Sequence, residues 1–201
     1  MGYPIHAGAF PDKAALGRHH ILPGVDTQLL IALFPDHGVQ SAIRRHCDDW
    51  LWPNGHYFPA GPRLHLTLHC FEDQAPADEM RLRAALAEVP MHPLELMLDR
   101  SRTWRNDISV VQPAEHEGLR ALHDAVAHAV RRAGIDARWP AKWTPHITIA
   151  RHTEGAARPP QMEPIRWTAT EFKLVRSHLA SPMHHELLAS YGVRQDAARL
   201  H

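Results

Sequence analysis

A chain of 201 residues, 44% hydrophobic and 22% charged, can bury one substantial core or two small lobes and is not disordered in composition. Its formal charge of zero argues against tight nonspecific binding to duplex nucleic acid, which needs many phosphate contacts. The longest apolar run, Leu29 to Phe34, is too short to cross a bilayer, and the N-terminus lacks a leader pattern, so a soluble cytoplasmic protein is expected.

Residues 1–26 are rich in Gly, Pro and His without periodicity and read as an N-terminal extension. The domain is expected over 27–192. It opens with a buried strand at Gln28–Phe34, ended by Pro35-Asp36. Val39, Ile43, Cys47 and Trp50 then recur at helical spacing. Arg63–Phe71 reads as a second strand, and Leu82, Ala85, Leu86 and Val89 mark a second helix closed by Pro90. Leu94–Asp99 and Ile108–Gln112 suit a hairpin with Ser101–Asp107 as its loop and Trp104 at the tip. Glu115–Ala133 is the clearest helix, with acids in the first turn, Arg131-Arg132 in the last and Gly134 as cap. Trp139-Pro140-Ala141-Lys142-Trp143-Thr144-Pro145 leads into a strand at His146, because Pro145 biases Thr144 to extended backbone. Ile165–Arg176 and Leu187–Tyr191 would supply closing strands, and 193–201 reads as a tail. The two cysteines, Cys47 and Cys70, have neither zinc-knuckle nor redox-pair spacing and are read as reduced small hydrophobes.

One pattern occurs twice. His65-Leu66-Thr67-Leu68 returns 81 residues later as His146-Ile147-Thr148-Ile149. With 18 His and eight Thr in the chain, roughly 0.1 such matches are expected by chance. In a strand the His and Thr of each copy share a face while the aliphatic residues enter a core. Each copy follows a helix, which suggests two similar lobes across a cleft. Helices interleaved with strands allow a parallel sheet, yet no Gly-rich phosphate loop follows any strand and the hairpin favours antiparallel pairing.

Two imidazoles suit acid and base catalysis near neutral pH, and two hydroxyls can hold the non-bridging oxygens of a phosphodiester; that chemistry needs no metal. The pattern resembles the 2H phosphoesterase superfamily and, within it, the bacterial RNA 2',3'-cyclic phosphodiesterases, also named 2'-5' RNA ligases. The resemblance spans roughly 27–192 and includes Leu29–Pro35, both motifs, Thr144–Arg151 and Phe172–Ser177. It implies an α+β, bilobal fold: two pseudo-symmetric, mainly antiparallel sheets backed by helices, with the active site in the cleft between the lobes. It also implies hydrolysis of an RNA-terminal 2',3'-cyclic phosphate to a 2'-phosphate, and in some members reversible 2'-5' joining of RNA ends without ATP.

On that resemblance His65 and His146 are the catalytic pair, Thr67 and Thr148 clamp the phosphate, and Arg151 matches the basic residue that ends the second motif. Strict alternation turns Arg151 off the His146 face, so it can serve only if the strand ends or bulges beside it. His69 departs from the family pattern. By alternation it shares the face of His65 and Thr67, where it would line the substrate groove, or, with His65 and His146, hold a metal. No carboxylate accompanies either motif, so the expectation is no metal and no cofactor. Trp104 and Trp143 could stack on a base or pack on the protein. A surplus of basic residues between Arg131 and Arg176, nine against four acidic, favours a phosphate-bearing ligand near the second motif. His19-His20 and His184-His185 lie outside the motifs and receive no role. The partners expected are RNA ends or nucleoside 2',3'-cyclic phosphates, with no membrane and a monomeric chain. The rival class is an RNA-end-binding module with little turnover that uses the same cleft.

Overall fold

The computed structural model describes residues 26–105, 107–136, 143–180 and 182–193. The N-terminal extension up to residue 25, the lead-in through Lys142 and the tail from 194 lie outside the described residues. The elements run β1 (Thr27–Leu33), α1 (His37–Asp48), a 3-10 turn (Gly61–Arg63), β2 (Leu66–Glu72), α2 (Pro76–Ala87), β3 (Leu94–Trp104), β4 (Ile108–Pro113), α3 (Glu117–Arg132), β5 (Ile147–Arg151), β6 (Ile165–Ala169), β7 (Glu171–His178) and β8 (His184–Gly192).

The helices form where the sequence caps them. Asp36 accepts the Val39 N–H at the start of α1, and Pro76 occupies the first turn of α2 with Asp78 and Glu79 beside it. In α3 the cap is His116, whose Nδ1 accepts the Leu119 N–H at 3.1 Å; Glu115 therefore stands outside the helix and pairs with Arg120 instead. Gly134, at φ +79°, ends α3.

All strand pairs are antiparallel, in the order β6-β3-β4-β5-β2-β1-β7-β8. The expected lobes are two four-stranded halves, β2-β1-β7-β8 and β5-β4-β3-β6, each with its motif strand innermost. They meet at one residue pair, Leu66 with Ile147, which makes the two sheets one curled sheet. The buried residues of all three helices pack on one face, with Leu29, Ile31 and Leu33 of β1, Leu66 and Leu68 of β2, and Ile147 and Ile149 of β5. A small second cluster, Leu30, Ala32 and Val175 with Phe34 and Cys70 against it, lies on the opposite, helix-free face of the sheet.

Two expected elements are corrected. The hairpin loop is short, because β3 runs on to Trp104, which pairs with Ile108. Its end looks like a loop in sequence because Thr103 and Ser109 oppose each other and bond at 2.9 Å, a polar rung that needs no hydrophobic pattern. The segment from Ile165 to Arg176 is two strands. β6 lies beside β3 at one edge and β7 beside β1 in the other half, so the chain crosses between halves at Thr170.

Candidate active site

Each motif begins one residue before its strand. His65 follows the 3-10 turn and His146 precedes β5, so both imidazoles stand at strand entrances next to the Leu66–Ile147 pair. Their local bonds match. His65 Nδ1–H donates to the carbonyl of Arg63 at 2.7 Å, and His146 Nδ1–H donates to that of Thr144 at 2.8 Å. A carbonyl can only accept, so each ring carries its proton on Nδ1 and the two motif histidines are held in the same tautomer.

The symmetry extends to an irregularity. In β2, His69 pairs with Ile31 while Thr67 pairs with Ala32, which leaves Leu68 as an extra residue. In β5, Ala150 pairs with Ser109 while Thr148 pairs with Val110, which leaves Ile149 extra. Both motifs thus bulge at their fourth residue, and each bulge reverses the alternation after it. Cross-strand partners share a face. Thr67 follows Ala32 and Thr148 follows Val110 to the helix-free side, whereas His69 follows Ile31 to the helix side.

His69 therefore does not line the cleft, and the three histidines considered for a metal do not converge. It is 2% exposed, donates from Nε2 to the His123 carbonyl of α3 at 2.8 Å and stacks on the His123 ring at 4.4 Å. Among the described residues no group of three or more His, Cys, Asp or Glu is placed to hold a metal ion. The second bulge has the opposite result. Arg151, paired with Ile108, comes to the cleft side, where it is half-buried and close enough to oppose protonation of His65.

The tryptophans differ. Trp104 lies against His146, ring centroids 4.4 Å apart and tilted by 56°, so it walls the cleft at the second motif. Trp143 packs beneath it: its ring stacks on His123 at 4.1 Å and its Nε1–H donates to the Thr67 carbonyl at 3.1 Å. That bond ties the approach of one motif to the strand of the other. Trp143→Phe, which keeps a ring and loses the bond, is expected to cost about 1 kcal/mol in denaturant unfolding and to lower kcat several-fold with little change in KM.

Four further residues border the cleft that motif reading did not select. Phe34 and His185 surround His65, with ring centroids 5.7 and 5.3 Å from it. Arg63 donates to Tyr57 Oη at 3.0 Å, and Tyr57 exchanges backbone bonds with Arg151. The one available signal was the doubled His184-His185 on a strand, since alternation sends one of any such pair to each face.

The electrostatics follow from this crowding. Burial, then His185, then His146 and Arg151 pull the His65 pKa down to about 3, against the Arg63 carbonyl bond. Burial and Arg63 pull His185 down to about 4, and burial and Arg63 lower Arg151. These neighbours are all cationic when protonated, so an anion between them would raise the proton affinity of every ring.

His69 is also pulled down to about 3, chiefly by burial. For these histidines the folded pKa lies below the unfolded value near 6.5, so the unfolded chain binds the proton first. Stability is full above about pH 6.5 and falls as the pH drops towards the folded values, by about 1.4 kcal/mol per pH unit for the fully buried His69. Thermal melts from pH 7 to 4 are expected to show this loss, and His69→Gln to flatten it.

The two half-sheets each carry a His-x-Thr strand beside the rung that joins them. The chain belongs to the 2'-5' RNA ligase superfamily, whose family model matches residues 39–181. No curated protein matches it in sequence. Among solved structures it resembles E. coli LigT complexed with 3'-AMP, at 21% identity and TM-score 0.73 over 84% of this chain and 99% of that one. A structure described as a phosphoesterase gives the same values. TT0787 of Thermus thermophilus gives 23% and 0.65 over 84% and 99%. At these identities the likeness is one of fold. Among the described residues no helix is long and apolar enough to cross a membrane.

Proposed function

We propose that the chain hydrolyses the 2',3'-cyclic phosphate at an RNA end to a 2'-phosphate, with His65 and His146 as acid and base and no metal. What supports this reading is the matched pair of Nδ1–H bonds to Arg63 and Thr144, which fixes both motif rings in the same tautomer beside the Leu66–Ile147 rung. Water attacks phosphorus and gives its proton to His146 Nε2. The bond from phosphorus to O3' breaks, and His65 Nε2–H protonates O3'. Thr67 and Thr148 donate to the non-bridging oxygens as charge builds there. Arg151 meets the same phosphate, and Trp104 offers its ring to the base.

Burial and its neighbours make His65 hold its proton poorly, and it takes one up with the phosphodiester, whose negative charge offsets theirs. The exchanged roles, His65 as base and His146 as acid, are favoured by the same low proton affinity. With an RNA 5'-hydroxyl in place of water as the nucleophile, the same step breaks the P–O3' bond, forms a 2'-5' linkage and leaves a 3'-hydroxyl. The complexes of E. coli LigT with 3'-AMP, ATP and phosphate support a nucleotide ligand.

The test is incubation with adenosine 2',3'-cyclic phosphate in the presence of chelator, with the product isomer identified by phosphorus NMR. Adenosine 2'-phosphate is expected. Binding without turnover would instead make the chain an RNA-end-binding module.

A further inference from the structure

The cleft has two unlike ends. At His146 it is walled by the Trp104 ring. At His65 it meets Phe34, His185 and, through the turn that precedes the motif, Arg63. This second end is short of negative charge. Arg176 is matched by Asp73, Glu79 and Glu186, whereas among the described residues neither Arg63 nor Arg151 forms an ion pair. The side-chain partners of Arg63 are neutral, Tyr57 Oη at 3.0 Å and Met183 Sδ at 3.7 Å, and its Nε is buried without a hydrogen bond. Among the described residues both ring nitrogens of His185 are likewise buried without a hydrogen bond. Buried donors left unbonded are costly, and a cluster of them with one sign of charge is a site made for an anion.

His185 also lines a cavity of about 540 Å3 that includes Phe34, Gln40, Pro62, Lys173 and Leu187. Lys173 there is paired with Glu171 at 2.9 Å, so the unmatched positive charge near this cavity is that of Arg63, with His185 ready to take up a proton beside an anion. His185 reaches this place because β8 pairs it with Ser177, on the same face as Val175.

We infer that Arg63 and His185 form a second anion subsite beside the catalytic pair, which takes the phosphate 5' to the cyclic one and so selects the end of a nucleotide chain over a lone nucleoside. This rests on the reaction proposed above. In that reading the cyclic phosphate lies between His65 and His146, and the preceding phosphodiester lies on the far side of His65. The Arg63 guanidinium and the protonated His185 ring donate to its oxygens, and the Phe34 side of the cavity receives the sugar or base beyond.

The experiment compares adenosine 2',3'-cyclic phosphate with the same compound carrying a 5'-phosphate. The wild-type chain is expected to favour the 5'-phosphorylated substrate by about 10- to 100-fold in kcat/KM, mostly through KM, with the preference shrinking as salt is added. In Arg63→Gln and His185→Gln the ratio between the two substrates should fall towards one. Turnover of both substrates at equal efficiency by the wild type overturns the subsite and leaves the reaction standing. A preference that survives both substitutions overturns the assignment to these residues. Turnover of neither substrate by a folded chain removes the reaction and the subsite together.

Discussion

His65→Ala and His146→Ala are each expected to lower kcat for 2',3'-cyclic phosphate hydrolysis by about 10²- to 10⁴-fold, with the far-UV circular dichroism of the parent. Each variant keeps the strand that follows and loses only a ring at its entrance, so the change reports on chemistry. Substituting both should cost little more than one, because acid and base act in a single step. The two roles separate with a phosphodiester of p-nitrophenol, whose leaving group needs no proton. The variant lacking the acid should recover most of its activity on that substrate, and the variant lacking the base should not. Recovery in His65→Ala supports the assignment made here, and recovery in His146→Ala reverses it. Full activity of either variant on the cyclic nucleotide would end the two-histidine reading.

Thr67→Val and Thr148→Val should each reduce kcat by about 10²-fold with smaller changes in KM, since the hydroxyls act most strongly on the charge that develops in the transition state. Valine has nearly the shape of threonine and favours strands as well, so backbone and packing are preserved. Thr67→Ser and Thr148→Ser keep the donor and should retain most activity. Two losses of similar size would fit the duplicated geometry. A loss confined to KM would mean that the hydroxyls only hold the ground state.

Much of this was legible in the chain. The repeated His-x-Thr, with aliphatic residues after each His and Thr, marked two half-buried strands, and three capped helices stood between or around them. Antiparallel pairing followed from the hairpin. The failures have a common cause, namely interactions that a period of two does not encode. Alternation sent His69 to the cleft and Arg151 away from it, and the bulges at Leu68 and Ile149 reverse both. A bulge is a property of two strands in register, so neither strand reveals it alone. The crossing at Thr170 was hidden because both flanking segments are strands. His185 and Arg63 were passed over because they belong to no repeat; what brings them to His65 is the pairing of β8 with β7 and the turn before β2.

The single rung between the half-sheets, Leu66 with Ile147, follows one motif histidine on each side. Trp104, 4.4 Å from His146, and His185, 5.3 Å from His65, stand close to that rung, so the groups that surround the two imidazoles gather where the ladders of both halves are joined into one.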